Sequence, residues 1–330
     1  MTNNLPLKNK YSAKSAGRLI TNKVPVASIA ATVADVEKLL LKDTKNFDTI
    51  NYVYVTDKDN KLVGVFSIKE LFRSPKNTLV KELLPPKIIK ARPHTHQERV
   101  AYLALKNSLK AIPIIDKDDK FLGVVPSDEI LSILDSEAVE NLLRFGGIMH
   151  YGVYDNIFNI SIFKSLKHRL PWLVVGALGG MLAAIIINNF EEVLSRRLIL
   201  AAFIPLVVYL AAAVSGQTQA FIIRDLAFES KINFLRYFAR QFIIIFLIAI
   251  IISALVLVGG LFLFGELAVG LVLSLALLIA ILSSIFSGLI VPLIFARLNF
   301  DPANASGPVA TIIQDILSVL VYLSIAAWLL

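Results

Sequence analysis

Residues 267–296 read LAVGLVLSLALLIAILSSIFSGLIVPLIFA, a run of 30 residues without a charged side chain. An α-helix rises about 1.5 Å per residue, so roughly 20 such residues cross the hydrocarbon core of a bilayer. Because backbone polar groups in lipid must be paired within their own segment, a single run of this kind forms a helix. The stretch therefore predicts a transmembrane helix and excludes a wholly soluble protein.

Three other uncharged runs, and a fourth that is broken by one acid, Asp315, extend this pattern, and together they predict a helical membrane domain over 170–330. The predicted spans are 171–190, 198–223, 241–265, 267–296 and 306–330. The front of the chain differs, since residues 1–150 hold 23 of the 33 Lys and Arg and 17 of the 25 Asp and Glu. The sequence thus predicts a soluble front region followed by five transmembrane helices.

The composition also excludes several classes of protein. The chain contains no cysteine, which excludes a disulfide framework, a thiolate metal site and a cysteine nucleophile. It shows no HExxH helix and no nucleophile-elbow serine, so we expect no enzyme. The net charge of the chain is +8, of which +6 lies in residues 1–150 as alternating Lys and Asp and not as a basic stripe, so we expect no nucleic-acid partner.

The placement of Lys and Arg predicts the orientation in the membrane. The connections on the side of the front region carry eight basic residues, whereas the opposite side carries only Arg196 and Arg197. The eight are Lys164, Lys167, Arg169, Arg224, Lys231, Arg236, Arg240 and Arg297. The positive-inside rule places their side in the cytoplasm. Since the first residues show no apolar signal-peptide core, we expect a cell-membrane protein with a cytoplasmic front region and an external C-terminus.

Asp315 interrupts the last span roughly 15 Å along its axis. A carboxylate at that depth costs several kcal/mol unless it meets water, a partner or a cation. Thr311, Ser318 and Tyr322 share its helix face at i−4, i+3 and i+7. Because no predicted span supplies a Lys or Arg, the pattern favours the wall of a cation path over a structural ion pair.

A second polar group lies near the end of the second span, at Ser215-Gly-Gln217-Thr-Gln219. The amide oxygen of Gln217 is a ligand that a hard cation accepts. The same side chains also suit hydrogen bonds between helices. Both interpretations stay open from the residues alone.

The front region contains an internal repeat with an offset of 59 residues. YVTDKDNKLVGV, which starts at Tyr54, aligns with PIIDKDDKFLGV, which starts at Pro113. Each copy predicts a strand, a turn, a second strand and a short helix, and two such units must pack together to bury their sheets. The expected boundaries are a tail over 1–18, repeats over 19–77 and 78–134, and a connecting helix over 135–169.

This α/β repeat resembles a pair of CBS domains. The resemblance implies a site for an adenine nucleotide, with a ribose-contacting pattern Gly-x-x-Ser/Thr-x-x-Asp. The first copy gives Gly64-x-x-Ser67-x-x-Glu70, with Glu in place of the Asp, and Ser67 and Glu70 are the candidate contacts. The second copy carries Pro126, which has no hydroxyl, at the place of the serine.

Several segments extend the resemblance to nearly the whole chain, from about Tyr11 to Leu330. They are Tyr11-Ser-Ala-Lys-Ser-Ala-Gly17-Arg18-Leu, Arg169-Leu-Pro-Trp172, Phe203-Ile-Pro205-Leu, Gln217, Arg224 and Asp301-Pro302-Ala303…Ser306-Gly307-Pro308…Asp315…Tyr322. The chain in these segments resembles the MgtE-type magnesium channels and transporters. That resemblance implies a homodimer in the lipid bilayer, which passes Mg²⁺ down its electrochemical gradient and closes when cytosolic Mg²⁺ is plentiful.

The resemblance also implies roles for particular acidic residues. Asp315 matches the ion-selecting aspartate of the pore, beside which we place Thr311 and Gln217. Asp301 matches an acid at the cytoplasmic mouth and Asp128 an acid near the end of the second repeat. Two acids of the connecting segment, Glu137 and Glu140, match residues that take part in gating.

The chain departs from the family pattern in two places. Members of the family usually carry an acidic helical domain ahead of the CBS pair, whereas about 18 residues precede it here. The family's Gly-Gly-Asn stretch in the second span is Ala211-Ala-Ala213, which removes a possible amide ligand. Transport of another divalent cation, such as Mn²⁺, Co²⁺ or Ca²⁺, with weakened Mg²⁺ gating is therefore the alternative.

Overall fold

The computed structural model describes residues 10–148, 158–228, 232–298 and 302–330. The chain divides into two compact units, Met1–Glu137 and Ala138–Leu330. The first unit is made of short strands and helices, and the second is helical.

The first unit contains two small sheets and the helices that cover them. Its strands are β1 (Val26–Ser28), β2 (Tyr52–Thr56), β3 (Leu62–Ser67), β4 (Ala111–Ile115) and β5 (Phe121–Pro126). Its helices are α1 (Val33–Asp43), α2 (Ile68–Arg73), α3 (Gln97–Lys106) and the first part of α4 (Ser127–Phe145). Short 3₁₀ turns lie at Ala16–Arg18, Thr44–Asn46 and Val80–Leu83.

The two sheets repeat each other. In the first, β1 runs parallel to β2 and β2 antiparallel to β3; in the second, β4 runs antiparallel to β5. Ala91 pairs in parallel with Ile114, in the place that β1 takes in the first sheet. The register shifts after Val55 in one copy and after the equivalent Ile114 in the other. The repeated sequence therefore folds into a repeated structure.

The turns between paired strands are also built alike. The Oδ1 atom of Asp57 accepts hydrogen bonds from the backbone N–H groups two and four residues later, at 2.9 and 2.8 Å. Asp116 repeats both bonds at 2.9 Å. Asn60 and Asp119 adopt the left-handed conformation, with φ of 60° and 63°, which short polar side chains tolerate better than most.

Each copy has its own buried apolar cluster, and a third cluster joins the two. At the junction the ring of Tyr54 stacks on that of Phe121, with centroids 5.1 Å apart and planes inclined by 19°. Tyr54 is 1% exposed and Phe121 is 8% exposed. The two copies therefore pack against each other, as the sequence predicts.

Helix α1 begins with a capping box. The Thr32 hydroxyl accepts the backbone N–H of Asp35 at 3.3 Å, and the Asp35 carboxylate accepts the backbone N–H of Thr32 at 2.9 Å. These bonds satisfy amide groups that have no partner within the helix. The hydrogen bonds from the Thr32 backbone and hydroxyl lower the pKa of Asp35.

In the part of the second unit that the structure describes, the rest of α4 is followed by seven further helices. They are α5 (Ile162–Asn188), α6 (Glu191–Arg196), α7 (Ile199–Phe228), α8 (Phe234–Phe264), α9 (Leu267–Ile285), α10 (Val291–Arg297) and α11 (Pro302–Leu329), with a π-helical turn (Phe286–Ile290) between α9 and α10. Among the described residues, five stretches are long and apolar enough to cross a membrane: Ile162–Asn188, Ile199–Leu226, Phe234–Phe262, Leu267–Arg297 and Gly307–Leu329. The expected fold class, an α/β pair followed by five membrane helices, is confirmed.

The expected connecting helix over 135–169 needs a correction. Helix α4 ends at Phe145, because the chain turns at Gly147, which has φ of 73° and takes a conformation that glycine adopts without strain. The next helix begins at Ile162, where the Ser161 hydroxyl accepts a backbone N–H at 3.3 Å. The basic residues ahead of the first uncharged run therefore lie in the first turns of α5.

The fourth span is the most enclosed of the five. Buried residues make up 56% of its most apolar window but 0% of that of the first span. A continuous buried cluster includes Val207, Leu273, Leu277 and Leu323 from the second, fourth and fifth spans. The core of the second unit therefore lies around the fourth span, with α7 and α11 packed beside it.

Candidate functional site

Asp315 lies near the middle of α11, and its side chain is half-buried. Among the residues that the structure describes, it takes part in no hydrogen bond or salt bridge. Thr311, one turn earlier, is exposed, and its Oγ1 donates to the Gly307 carbonyl at 2.7 Å. The two pore candidates on α11 thus lie on its more open side, where the carboxylate oxygens can accept a cation.

The other members of the predicted polar stripe on α11 are buried and already bonded. The Ser318 hydroxyl donates to the Gln314 carbonyl at 2.7 Å, and the Tyr322 hydroxyl donates to the Leu200 carbonyl, at the start of α7, at 2.8 Å. Ser318 and Tyr322 are both 0% exposed. Tyr322 thus joins α11 to α7, Ser318 bonds within α11, and the Thr311 and Asp315 part of the stripe faces outward.

Gln314, which sequence reasoning missed, forms the most hydrogen bonds among the described side chains of α11. It is 0% exposed. Its Nε2 lies 3.1 Å from each of the Ala280 carbonyl, Ser283 Oγ and Ser318 Oγ, and its Oε1 accepts from Ser287 Oγ at 2.5 Å. The signal in the sequence was an amide directly before Asp315, one turn from a serine, inside an otherwise apolar run.

The polar group in α7 continues this network into the second span. Ser215 Oγ lies 2.8 Å from Ser287 Oγ, and Gln219 Nε2 donates to Ser215 Oγ at 3.0 Å. Gln217, the predicted cation ligand, is exposed instead and lies on another side of α7. Hydrogen bonding between helices, one of the two interpretations left open by the sequence, therefore describes Ser215, whereas Gln219 bonds to Ser215 within α7.

The π-helical turn Phe286–Ile290 brings the second and fourth spans together. A Cβ atom at Gly288 would lie 2.8 Å from the Ser215 carbonyl oxygen and 2.8 Å from Thr218 Cβ. Only glycine permits so close an approach without a shift. A π-helical turn inside an α-helix is rare and often marks a functional region, and here it places Ser287 between Ser215 and Gln314.

Glycines also allow close contacts at the start of α11. A Cβ atom at Gly179 of α5 would lie 2.5 Å from Ile312, and one at Gly307 would lie 2.5 Å from the carbonyl oxygen of Phe145, the last residue of α4. The first turns of α11 are therefore packed against α5 on one side and against the end of α4 on another.

The acids assigned to gating have different surroundings. Glu137 is 5% exposed; its carboxylate lies 3.2 Å from Lys14 Nζ and accepts from Gln97 Nε2 at 2.6 Å. Glu140 forms a salt bridge with Arg144 one turn later. Asp128 is exposed. Asp301 lies outside the described residues.

The first unit contains a cavity of about 470 Å³. Its lining includes Thr21, Asp48, Asp128 and Glu129, and the Thr21 hydroxyl donates to the Asp48 carboxylate at 2.5 Å. The two predicted nucleotide contacts do not line it. The Ser67 hydroxyl accepts the Lys69 backbone N–H, and Glu70 pairs with Arg73, both at the first turns of α2.

The described part of the chain presents no group of three or more His, Asp or Glu side chains arranged to hold a metal ion. The candidate ion site on α11 thus rests on the carboxylate of Asp315 and on neutral oxygens.

Comparison with known proteins relates both units to characterised sequences. A family model described as a divalent cation transporter, MgtE, matches residues 204–325, and the CBS domain model matches residues 16–77 and 80–136. The chain is 31% identical over 318 residues to the magnesium transporter MgtE of Bacillus subtilis, and the match covers 96% of this chain and 70% of that protein. For the magnesium transporter MgtE of Enterococcus faecalis the identity is 31%, and the match covers 96% and 69%. The magnesium transporter MgtE of Thermus thermophilus is 29% identical to the chain, and the match covers 97% of this chain and 71% of that protein.

Two solved structures resemble part of the chain. One is the cytosolic domain of the Mg²⁺ channel MgtE in complex with ATP, at 30% identity and a TM-score of 0.38, which covers 38% of this chain and 51% of that one. The other is the soluble part of a magnesium transporter, at 32% identity and a TM-score of 0.39, which covers 40% and 51%.

Proposed function

The chain belongs to the MgtE family of magnesium transporters, whose function is transport and not catalysis, and we propose that it conducts Mg²⁺ through its membrane domain past Asp315. The flow follows the electrochemical gradient. An inside-negative potential favours entry by about 2.3 kcal/mol per charge per 100 mV, so no hydrolysis of ATP is needed.

The observation that carries this proposal is the environment of Asp315. It is half-buried near the middle of a membrane-spanning helix and has no hydrogen bond or salt bridge among the described residues. A carboxylate in that position is costly unless water or a cation meets it. Mg²⁺ keeps much of its water shell and is held by one or two carboxylates, which suits a single acid beside the exposed Thr311.

We propose that two copies of the chain form the conducting unit. Closed two-fold symmetry is the commonest arrangement of identical subunits. Across such an axis, the two Asp315 side chains would together balance the two positive charges of Mg²⁺. Gln217 is exposed on α7 and is a further oxygen donor for the hydrated ion.

The proposed gate uses the first unit as a sensor of cytosolic Mg²⁺. Asp128, Glu137, Glu140 and Asp301 are the acids assigned to it by similarity to the family. Asp128 is exposed, which suits a metal ligand, whereas Glu137 is already paired with Lys14. The first unit is placed in the cytoplasm and the C-terminus outside the cell membrane, in keeping with the distribution of Lys and Arg.

Flux into liposomes tests this function. Purified full-length protein is reconstituted, and Mg²⁺ entry is followed with an internal indicator for the parent protein, Asp315→Asn and Glu266→Gln. Glu266 is a matched carboxylate that lies between two spans and pairs with Arg197 at 2.7 Å. We expect Asp315→Asn to abolish flux and Glu266→Gln to leave it unchanged; parental flux through Asp315→Asn contradicts the proposal.

The alternative cargo is another divalent cation. Ala211, Ala212 and Ala213 offer no side-chain oxygen in the second span, so fewer ligands enforce a choice among ions. Competition of Mn²⁺, Co²⁺ and Ca²⁺ with Mg²⁺ in the same liposomes distinguishes the two possibilities, since the true cargo competes at the lowest concentration.

A further inference from the structure

In the buried hydrogen bonds around Gln314, the donor and the acceptor of each bond can be assigned. The Ala280 carbonyl can only accept, so the Gln314 amide must turn its NH₂ group toward it, at 3.1 Å. The Gln314 Oε1 atom then faces Ser287, whose hydroxyl donates to it at 2.5 Å. The orientation of the Gln314 amide is thus fixed by a backbone group of α9.

The same assignment continues into the second span. Because the Ser287 hydroxyl gives its hydrogen to Gln314, it must accept from Ser215, 2.8 Å away. Ser215 in turn accepts from Gln219 Nε2 at 3.0 Å. Gln219 is 2% exposed, and its Oε1 has no partner in the described structure. This series of hydrogen bonds therefore leaves one buried acceptor, Gln219 Oε1, without a hydrogen bond, which destabilises the folded protein.

Packing alone does not call for these polar groups. Helices associate in membranes through close contacts of small residues, and Gly288 already provides such a contact beside Ser215. A buried series of hydrogen bonds is directional, so it fixes one orientation of a helix about its axis, whereas apolar contacts allow several orientations. Here the helix that is held is α11.

The rotation of α11 decides where Asp315 points. Gln314 and Asp315 are consecutive, so their side chains project about 100° apart around the helix. Gln314 is 0% exposed and faces α9 and the π-helical turn, whereas Asp315 is half-buried on the more open side. We propose that Gln314, held by Ser287 and the Ala280 carbonyl, is a positioning residue that sets the direction of the Asp315 carboxylate and thereby the choice among divalent cations. This inference rests on the proposed ion path past Asp315.

The test compares full-length variants in liposomes with Mg²⁺ and Ca²⁺ as the ions. Gln314→Leu removes the amide at similar volume, and Ser287→Ala removes the hydroxyl that bonds to it. Ser253→Ala is the matched control, because Ser253 is also buried in a span, at 2% exposure, and its hydroxyl has no partner in the described structure. Asp315→Asn is included to test the ion path itself. Size-exclusion chromatography in detergent verifies assembly, and either network variant suffices if the other does not assemble.

We expect Gln314→Leu and Ser287→Ala to lower the ratio of Mg²⁺ to Ca²⁺ flux about tenfold, because a tenfold change corresponds to the free energy of one typical buried hydrogen bond. We also expect both variants to raise the Mg²⁺ concentration for half-maximal flux. Ser253→Ala should leave both values unchanged. A purely structural role changes the amount of assembled protein but not this ratio. An unchanged ratio in an assembled network variant, with Asp315→Asn inactive, overturns the inference and leaves the proposed function standing. Flux through Asp315→Asn at the parental level overturns both.

Discussion

Lys61 and Lys120 occupy equivalent positions, 59 residues apart, and pair with each other in an antiparallel bridge. The neighbouring bonds are equivalent too: the Leu62 N–H donates to the Asp119 carbonyl at 3.1 Å, and the Phe121 N–H donates to the Asn60 carbonyl at 2.9 Å. A local two-fold axis therefore passes between the two lysines. The turns of the two repeats are bonded directly to each other, so that a disturbance of one copy reaches the other.

The first prediction concerns the side chains that pack beside this axis. Phe121→Ala removes the ring that stacks on Tyr54 at 5.1 Å, and we expect it to lower the stability of the first unit by about 3–5 kcal/mol, the usual cost of a buried Phe→Ala change. Hydrogen–deuterium exchange of the full-length protein should then accelerate in both β2 and β5, because the lost ring joins the two copies.

Phe72→Ala is the control for this change, since Phe72 is 73% exposed and its ring adds little buried area. It should leave exchange in both strands at the parental rate. Acceleration confined to β5 after Phe121→Ala would show that the two copies unfold independently, against the coupling inferred from the shared cluster.

The fold of the first unit was predictable because its signal is duplicated. The D-K-D turn and the flanking alternation occur twice at one offset, and each Asp in them closes the same turn with its carboxylate. The connecting helix differs from the prediction, because Lys164, Lys167 and Arg169 limit the uncharged run to residues after Arg169 but do not limit the helix, which begins at Ile162. A helix tolerates Lys and Arg in its first turns at the membrane surface, where long side chains reach water.

The second prediction concerns the close approach of the second and fourth spans. Gly288→Ala places a methyl group 2.8 Å from the Ser215 carbonyl oxygen and from Thr218 Cβ. Since both neighbours belong to a packed helix, we expect α7 and the π-helical turn to separate, at a cost of about 1–3 kcal/mol. Thermal unfolding in detergent measures the loss. Gly259→Ala, where a Cβ would meet nothing within 4 Å, should unfold like the parent protein; equal stability of both variants would contradict the contact.

Much of the candidate site was not readable from the sequence. Asp315 stood out because it is an acid in an apolar run, and the structure gives it no protein partner in the described residues. The roles of Ser287 and Gln314 depend on the π-helical turn, which no local pattern of residues predicts. Polar periodicity along one helix shows which residues share a face, but which helix that face meets is decided by tertiary packing.

The third prediction separates a metal-binding role of the gating acids from a structural one. If Glu137 and Glu140 help to close the pore, the double change to Gln should raise Mg²⁺ flux at high internal Mg²⁺, because the acids that bind the inhibiting ion are neutralised. Flux is measured in liposomes loaded with low or high Mg²⁺. Lys14→Met serves as the control, since it removes the cation 3.2 Å from Glu137 and leaves both acids in place. Equal relief of inhibition in Lys14→Met would assign the effect to the ion pair, and unchanged inhibition in the double variant would exclude both acids from gating.

The fourth prediction concerns adenine nucleotides, whose binding to the first unit is expected from its similarity to CBS pairs. The cavity of about 470 Å³ has the size of a small-ligand site, and its carboxylates accept hydrogen bonds of the kind that ribose hydroxyls donate. Glu129 lines this cavity, whereas the equivalent Glu70 does not and pairs with Arg73.

We therefore expect Glu129→Ala to weaken the binding of AMP about tenfold, as the loss of one charge-assisted hydrogen bond does, and Glu70→Ala to leave it unchanged. Calorimetric titration of the two full-length variants measures the difference. Weaker binding in Glu70→Ala alone would place the nucleotide at Ser67 and Glu70, where the sequence pattern puts it, and would leave the cavity without this ligand.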